Sequence, residues 1–105
     1  MDVEYRLEIS TLFERQLAEA ARYIREEYDN STAAERLTLR VNNAINKRLA
    51  NPLGYPVHWA SPQGEQYRYI VVRKYIVFYT VTENIMDIRF IFHGSRDLEK
   101  LLDYD

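Results

Sequence analysis

Residues 66–97 read QYRYIVVRKYIVFYTVTENIMDIRFIFHGSRD. Three stretches rich in β-branched and aromatic residues, Gln66–Val72, Tyr75–Thr82 and Ile85–His93, are separated by the polar pairs Arg73-Lys74 and Glu83-Asn84. Such side chains suit a pleated, half-buried surface. A two-residue link leaves no room for a crossover, so the three stretches are predicted to form an antiparallel meander.

Upstream the periodicity changes. Val3, Tyr5, Leu7 and Ile9 alternate with Glu4, Arg6 and Glu8, the period-two signature of a strand with one buried face. Apolar residues then recur at Leu12, Phe13, Leu17, Ala20, Ala21, Ile24 and Tyr28, one stripe of an amphipathic helix. Thr11 and Glu14 stand at the spacing of a capping box, which places the helix start at Thr11. Asp29-Asn30-Ser31 interrupts the stripe, and Thr32 and Glu35 offer a second capping box. A second helix turns Ala34, Leu37, Val41, Ala44, Ile45 and Leu49 inward and ends at Asn51-Pro52, because proline disfavours helical geometry in the residue before it. The two helices form an antiparallel hairpin.

Residues 52–65 hold all three prolines and two of the three glycines, and a loop of that length in a small domain is often functional. A final segment, 96–102, is predicted to make at most two helical turns. The expected architecture is α+β: an N-terminal helical hairpin on one face of a four-stranded, mostly antiparallel sheet, one domain over residues 1–105.

Composition narrows the function. A chain of 105 residues and 12.6 kDa supports one modest core. The absence of cysteine excludes disulfides and thiolate metal sites. The charged start, Met1-Asp2-Val3-Glu4-Tyr5-Arg6, lacks the apolar centre of a signal peptide, and no run approaches the ~20 apolar residues that span a bilayer, so a cytoplasmic protein without membrane contact is expected. A net charge of -2 argues against a general grip on nucleic acid, which needs excess Lys and Arg, while leaving room for a local basic patch. Glu26, Glu27 and Asp29 read as a solvated face, since no histidine or further carboxylate completes a coordination sphere; no metal and no cofactor are expected.

The order strand, helical hairpin, Pro/Gly loop and three-strand meander, together with Tyr67-Arg68, the strand at 75–81 and His93-Gly94-Ser95-Arg96-Asp97, resembles the RelE/ParE superfamily of bacterial toxins over nearly the whole chain. The resemblance implies that strand one lies beside the last strand or an adjacent one. In the superfamily the RelE-like branch cleaves messenger RNA on the ribosome with Lys and Arg gathered on the concave sheet face, and the ParE-like branch is associated with inhibition of DNA gyrase. Arg68 matches the first cationic position and Arg96 the one after the last strand. Ile70 and Ile76 stand where two further cations belong, and Leu102 falls near the catalytic tyrosine position, with Tyr104 two residues beyond. An isoleucine cannot stabilise charge on a phosphoryl oxygen.

The ending His93-x-x-Arg96-Asp97 is closer to ParE-like and plasmid-stabilisation sequences. The resemblance therefore implies the toxin of a type II toxin–antitoxin module, meeting a target such as gyrase through Arg68, Arg89 and Arg96 and neutralised by a cognate antitoxin, with a heterotetramer as one assembly. The alternative is a ribosome-dependent endoribonuclease using Arg68, Arg96 and His93, joined by Arg89. A third reading is a non-toxic relic that only binds a partner protein. Antitoxin anchors are expected at Ile70, Ile76 and Phe78, if these lie exposed on the concave face. His93 reads either as a general base or as a half-buried histidine bonded to a backbone carbonyl or to Asp97. Tyr69, Tyr75 and Tyr79 read as strand aromatics in core or cross-strand packing rather than as a nucleic-acid stacking platform, and Trp59 either pins the loop or marks a contact surface.

Overall fold

The computed structural model describes residues 4–94, in the order β1 (Arg6–Ile9), α1 (Thr11–Glu27), α2 (Ser31–Arg48), a 3-10 turn (Pro52–Gly54), β2 (Trp59–Ala60), β3 (Gln66–Val72), β4 (Tyr75–Thr82) and β5 (Ile85–His93). The segment at 96–102 lies outside the described residues. The three meander strands have the predicted bounds, and both turns fall where expected. Each turn sets a non-glycine residue at positive φ, Arg73 at 59° and Glu83 at 56°.

The sheet has five strands rather than four, in the order β1-β5-β4-β3-β2. The added strand, β2, sits inside the Pro/Gly loop and pairs Trp59 with Tyr67 and Ala60 with Gln66. Two residues are too few to produce a period, so it is set by the stacking of Trp59 on Tyr67, 4.7 Å between ring centroids. At the opposite edge β1 runs parallel to β5 with Leu7 beside Met86. The helical hairpin between β1 and the meander supplies the long connection that such a return requires.

The cap of α1 stands one residue, and that of α2 two residues, before the threonine of its capping box. Ser10, not Thr11, caps α1, its Oγ accepting from the Phe13 amide at 3.0 Å. Asn30, not Thr32, caps α2, its Oδ1 accepting from the Ala33 amide at 3.0 Å. A cap needs non-helical backbone as well as an oxygen, and the turn before each helix supplies both, at Ser10 and at Asn30.

The main core lies between the hairpin and the sheet. Phe13, Leu17, Leu37, Val41 and Ile45 from the helices meet Ile70, Val72, Tyr75, Val77, Tyr79, Met86, Ile88 and Ile91. Tyr67, Phe78, Phe90 and Phe92 form a second buried cluster on the other face of the sheet, flanked by Leu12, Trp59 and Ile76.

A bulge connects the two cores. Phe78 pairs with Phe90 but Tyr79 pairs with Ile88, leaving Arg89 as the extra residue on β5. It shifts the alternation, so that Ile88 and Ile91 both face the helices although two residues, Arg89 and Phe90, lie between them. The Arg89 carbonyl accepts from Ser10 Oγ at 2.6 Å, so one hydroxyl both caps α1 and satisfies the bulge. Replacing Ser10 with alanine is expected to cost about 1–2 kcal/mol, near the top of the range for a lost cap. Urea unfolding of the variant checks this, and a cost below a few tenths would show that the hydroxyl holds neither element.

Candidate functional site

The residues expected to act together are distributed over two faces and two ends of the sheet. Arg68 shares the helix side of β3 with Ile70 and Val72, and its Nε donates to the Tyr55 carbonyl at 2.7 Å. The Arg89 guanidinium lies on the other face, near the Tyr67 ring at 5.8 Å. His93 ends β5 opposite Tyr75 and packs edge-on against its ring at 5.1 Å. Since Arg68 is opposite Tyr79 and His93 is opposite Tyr75, four steps of β4 separate their rows, about 13 Å of strand. Arg96 and Asp97 lie outside the described residues, as do Leu102 and Tyr104.

Arg89 is held by carboxylates. Its Nη1 donates to Glu65 Oε2 at 2.8 Å and lies 3.7 Å from Asp87 Oδ2. Burial pulls its guanidinium down, but the Glu65 hydrogen bond and the neighbouring Glu65 and Asp87 carboxylates outweigh burial and hold it above the ordinary arginine value. Tyr67 donates to Glu65 Oε1 at 3.4 Å. Burial raises its phenol, against Arg89 and with Glu65, so the group stays neutral. Glu65 and Asp87 were not anticipated; a loop acid and a strand acid give no pairing signal until the bulge aims Arg89 at them.

Burial raises the Asp87 carboxyl above 3.8, opposed by Arg89 and reinforced by Glu8 and Glu65. A carboxyl raised in the fold binds its proton more tightly there than in the unfolded chain, so its contribution to stability is full below pH 3.8 and lost as pH rises through the raised value. The Asp87→Asn chain should therefore gain on the native chain across that window. Urea midpoints measured over the acid range test this, and a difference constant with pH would clear Asp87.

A second polar group anchors the Pro/Gly loop. Arg48, at the end of α2, lies 3.3 Å over the Tyr55 ring and donates to the Tyr69 carbonyl at 2.9 Å and the Tyr79 hydroxyl at 3.0 Å. Tyr79 Oη donates in turn to the Pro52 carbonyl at 2.8 Å. The long loop is thereby tied to helix, sheet and core.

The expected anchor residues also separate. Ile70 is 5% exposed and faces the helices, which removes it from the concave face. Phe78 is on the face away from the helices but buried among rings, and Ile76 is half-buried beside it. Tyr75 and Tyr79 pack beneath the helices as expected. Tyr69 turns to the opposite face and packs across the strands, as the other expected arrangement has it, against Phe78 at 6.1 Å and His58 at 4.6 Å. Trp59 pins the loop through Tyr67.

A helical hairpin laid on one face of a mostly antiparallel sheet, with its first strand parallel to its last, defines a small toxin domain of the RelE/ParE type. The family model for the ParE toxin of type II toxin-antitoxin system, parDE, matches residues 7–98, and the chain belongs to this family. No curated protein sequence matches it. Among the described residues no helix is long and apolar enough to cross a membrane.

Proposed function

We propose that this chain is a cytoplasmic toxin that arrests growth by binding a target protein, DNA gyrase being the class its family suggests, and that a cognate antitoxin neutralises it, the two assembling as a heterotetramer. The observation that carries the reading is the commitment of its sheet cations. Arg89 is paired with Glu65 and Asp87, and Arg68 is bonded to the Tyr55 carbonyl. Phosphodiester cleavage needs cations free to meet charge developing on the phosphoryl oxygens. At the other two family positions stand Ile70, buried, and Ile76. A surface that recognises a protein has no such requirement.

The test is induction of this chain alone in growing cells, with RNA 5′ ends mapped and growth followed in the same culture. Arrest with an unchanged RNA map is expected. New in-frame cuts would replace the reading with ribosome-dependent cleavage, and unimpaired growth would leave a non-toxic binding partner.

A further inference from the structure

Charge is unevenly divided along the chain. Residues 4–35 hold eight acids and four cations, whereas residues 36–82 hold seven cations and one acid, Glu65. The fold turns this division into two flanks. α1 packs on β5 and α2 on β3, and these strands lie on either side of β4. The acidic part of the chain therefore covers one side of the domain, and α2 with β3 makes the other side basic.

α2 runs antiparallel to β3. Arg48, at its end, reaches the Tyr69 carbonyl, while Arg40 lies within the field of Arg73 at the β3–β4 turn. Eight helical residues and four strand residues both cover about 12–13 Å, so helix and strand keep in step. At 3.6 residues per turn, Arg36, Arg40 and Lys47 fall within about 40° of one another around α2. They face away from α1, because Thr38 and Asn42 on the other flank line the groove against it. Asn43 lies beside them, and the stripe carries no acid.

Like charges one helical turn apart repel. Partial desolvation and then the charges of Arg73 and Arg36 hold the Arg40 guanidinium below its ordinary value. Among the described residues the ion pairs belong to Arg89, so Arg36, Arg40, Lys47 and Arg73 have no acidic partner there. A basic flank on a chain of net charge -2 turns that side toward a polyanion and the acidic side away from it.

We infer that the α2 stripe of Arg36, Arg40 and Lys47, with Arg73 at the β3–β4 turn, is a binding track for the phosphate backbone of duplex DNA, independent of base sequence. The stripe is straight and about 16 Å long, a distance over which one strand of a duplex places about five phosphates. It has no aromatic ring to stack on an unpaired base and no apolar group to enter a bilayer, which selects a duplex over single-stranded RNA or a membrane surface. Arginine, lysine and asparagine transfer no proton at neutral pH, so the track holds a backbone without cutting it. The inference goes beyond the toxin reading and does not rest on it.

The test is fluorescence anisotropy of a labelled DNA duplex of arbitrary sequence titrated with the full chain. Single-stranded RNA of equal length and vesicles of phosphatidylserine with phosphatidylcholine serve as comparisons. Four phosphate contacts predict that affinity falls about a hundredfold between about 50 and 200 mM salt. Arg36→Gln with Arg40→Gln should roughly halve the slope of log affinity against log salt, since each lost contact removes about one from it. Arg22→Gln with Arg25→Gln, the same change in net charge on α1, should leave the slope unchanged. Lys47→Gln, exposed on the same stripe, should lower it by about one and keeps the test decisive if the double variant misfolds.

No binding at the lower salt, affinity indifferent to salt, or equal losses from the α1 and α2 variants would overturn the proposal. Tighter binding of the RNA or of the vesicles would also overturn it. Growth arrest enters none of these readouts, so a failure here leaves the toxin reading standing, and failure of that reading leaves the track.

Discussion

Replacing Tyr79 with alanine is expected to lower stability by about 3–5 kcal/mol, the range for emptying a fully buried aromatic site. The ring is 0% exposed beneath the helices, and its hydroxyl bridges Arg48 and the Pro52 carbonyl. Small domains have only about 5–15 kcal/mol of stability in total, so the alanine chain should melt far below the native one. Phenylalanine keeps the packing and removes the bridge, at an expected cost of about 1–3 kcal/mol from the buried partners left unpaired. Thermal unfolding of the two variants separates the terms. A neutral Tyr79→Phe substitution would show that the hydroxyl does not anchor the loop, and equal losses would show that packing contributes nothing.

The second large effect is expected at Phe90, on the sheet face away from the helices. It is 5% exposed, with the Phe78, Tyr67 and Phe92 rings at 5.1, 5.4 and 5.3 Å between centroids. Phe90→Ala should cost about 3–5 kcal/mol, because the site is ringed by aromatic side chains that cannot all collapse into the space. The result bears on function, since an exposed recognition surface would lose binding on truncation and little stability. A denaturant midpoint within error of the native value would make this face a recognition surface and return Phe78 to the list of anchors. The predicted loss makes it a second core.

The meander was legible in the sequence because each strand carries its own local signal: an unbroken β-branched and aromatic run, and a polar pair at each turn. The helices were legible because their stripes repeat over many residues, as Leu37, Val41 and Ile45 do in α2. Their capping residues were not, because Ser10 and Asn30 act as caps only once the preceding backbone is placed. Ile70 illustrates the commonest ambiguity. Period two says that it shares a face with Arg68 and Val72, and only the docked helices say that this face is the covered one.

By itself the sequence determined the fold class, the meander and its turns, the amphipathic helices and the family likeness, all of which rest on local periodicity or on residue order. The tertiary structure alone decided the fifth strand, the bulge at Arg89 and the pairing of that arginine with Glu65 and Asp87. The physical reason is common to all of these: each depends on groups far apart along the chain, and a single extra residue in one strand re-aims a side chain without leaving any mark in composition or period.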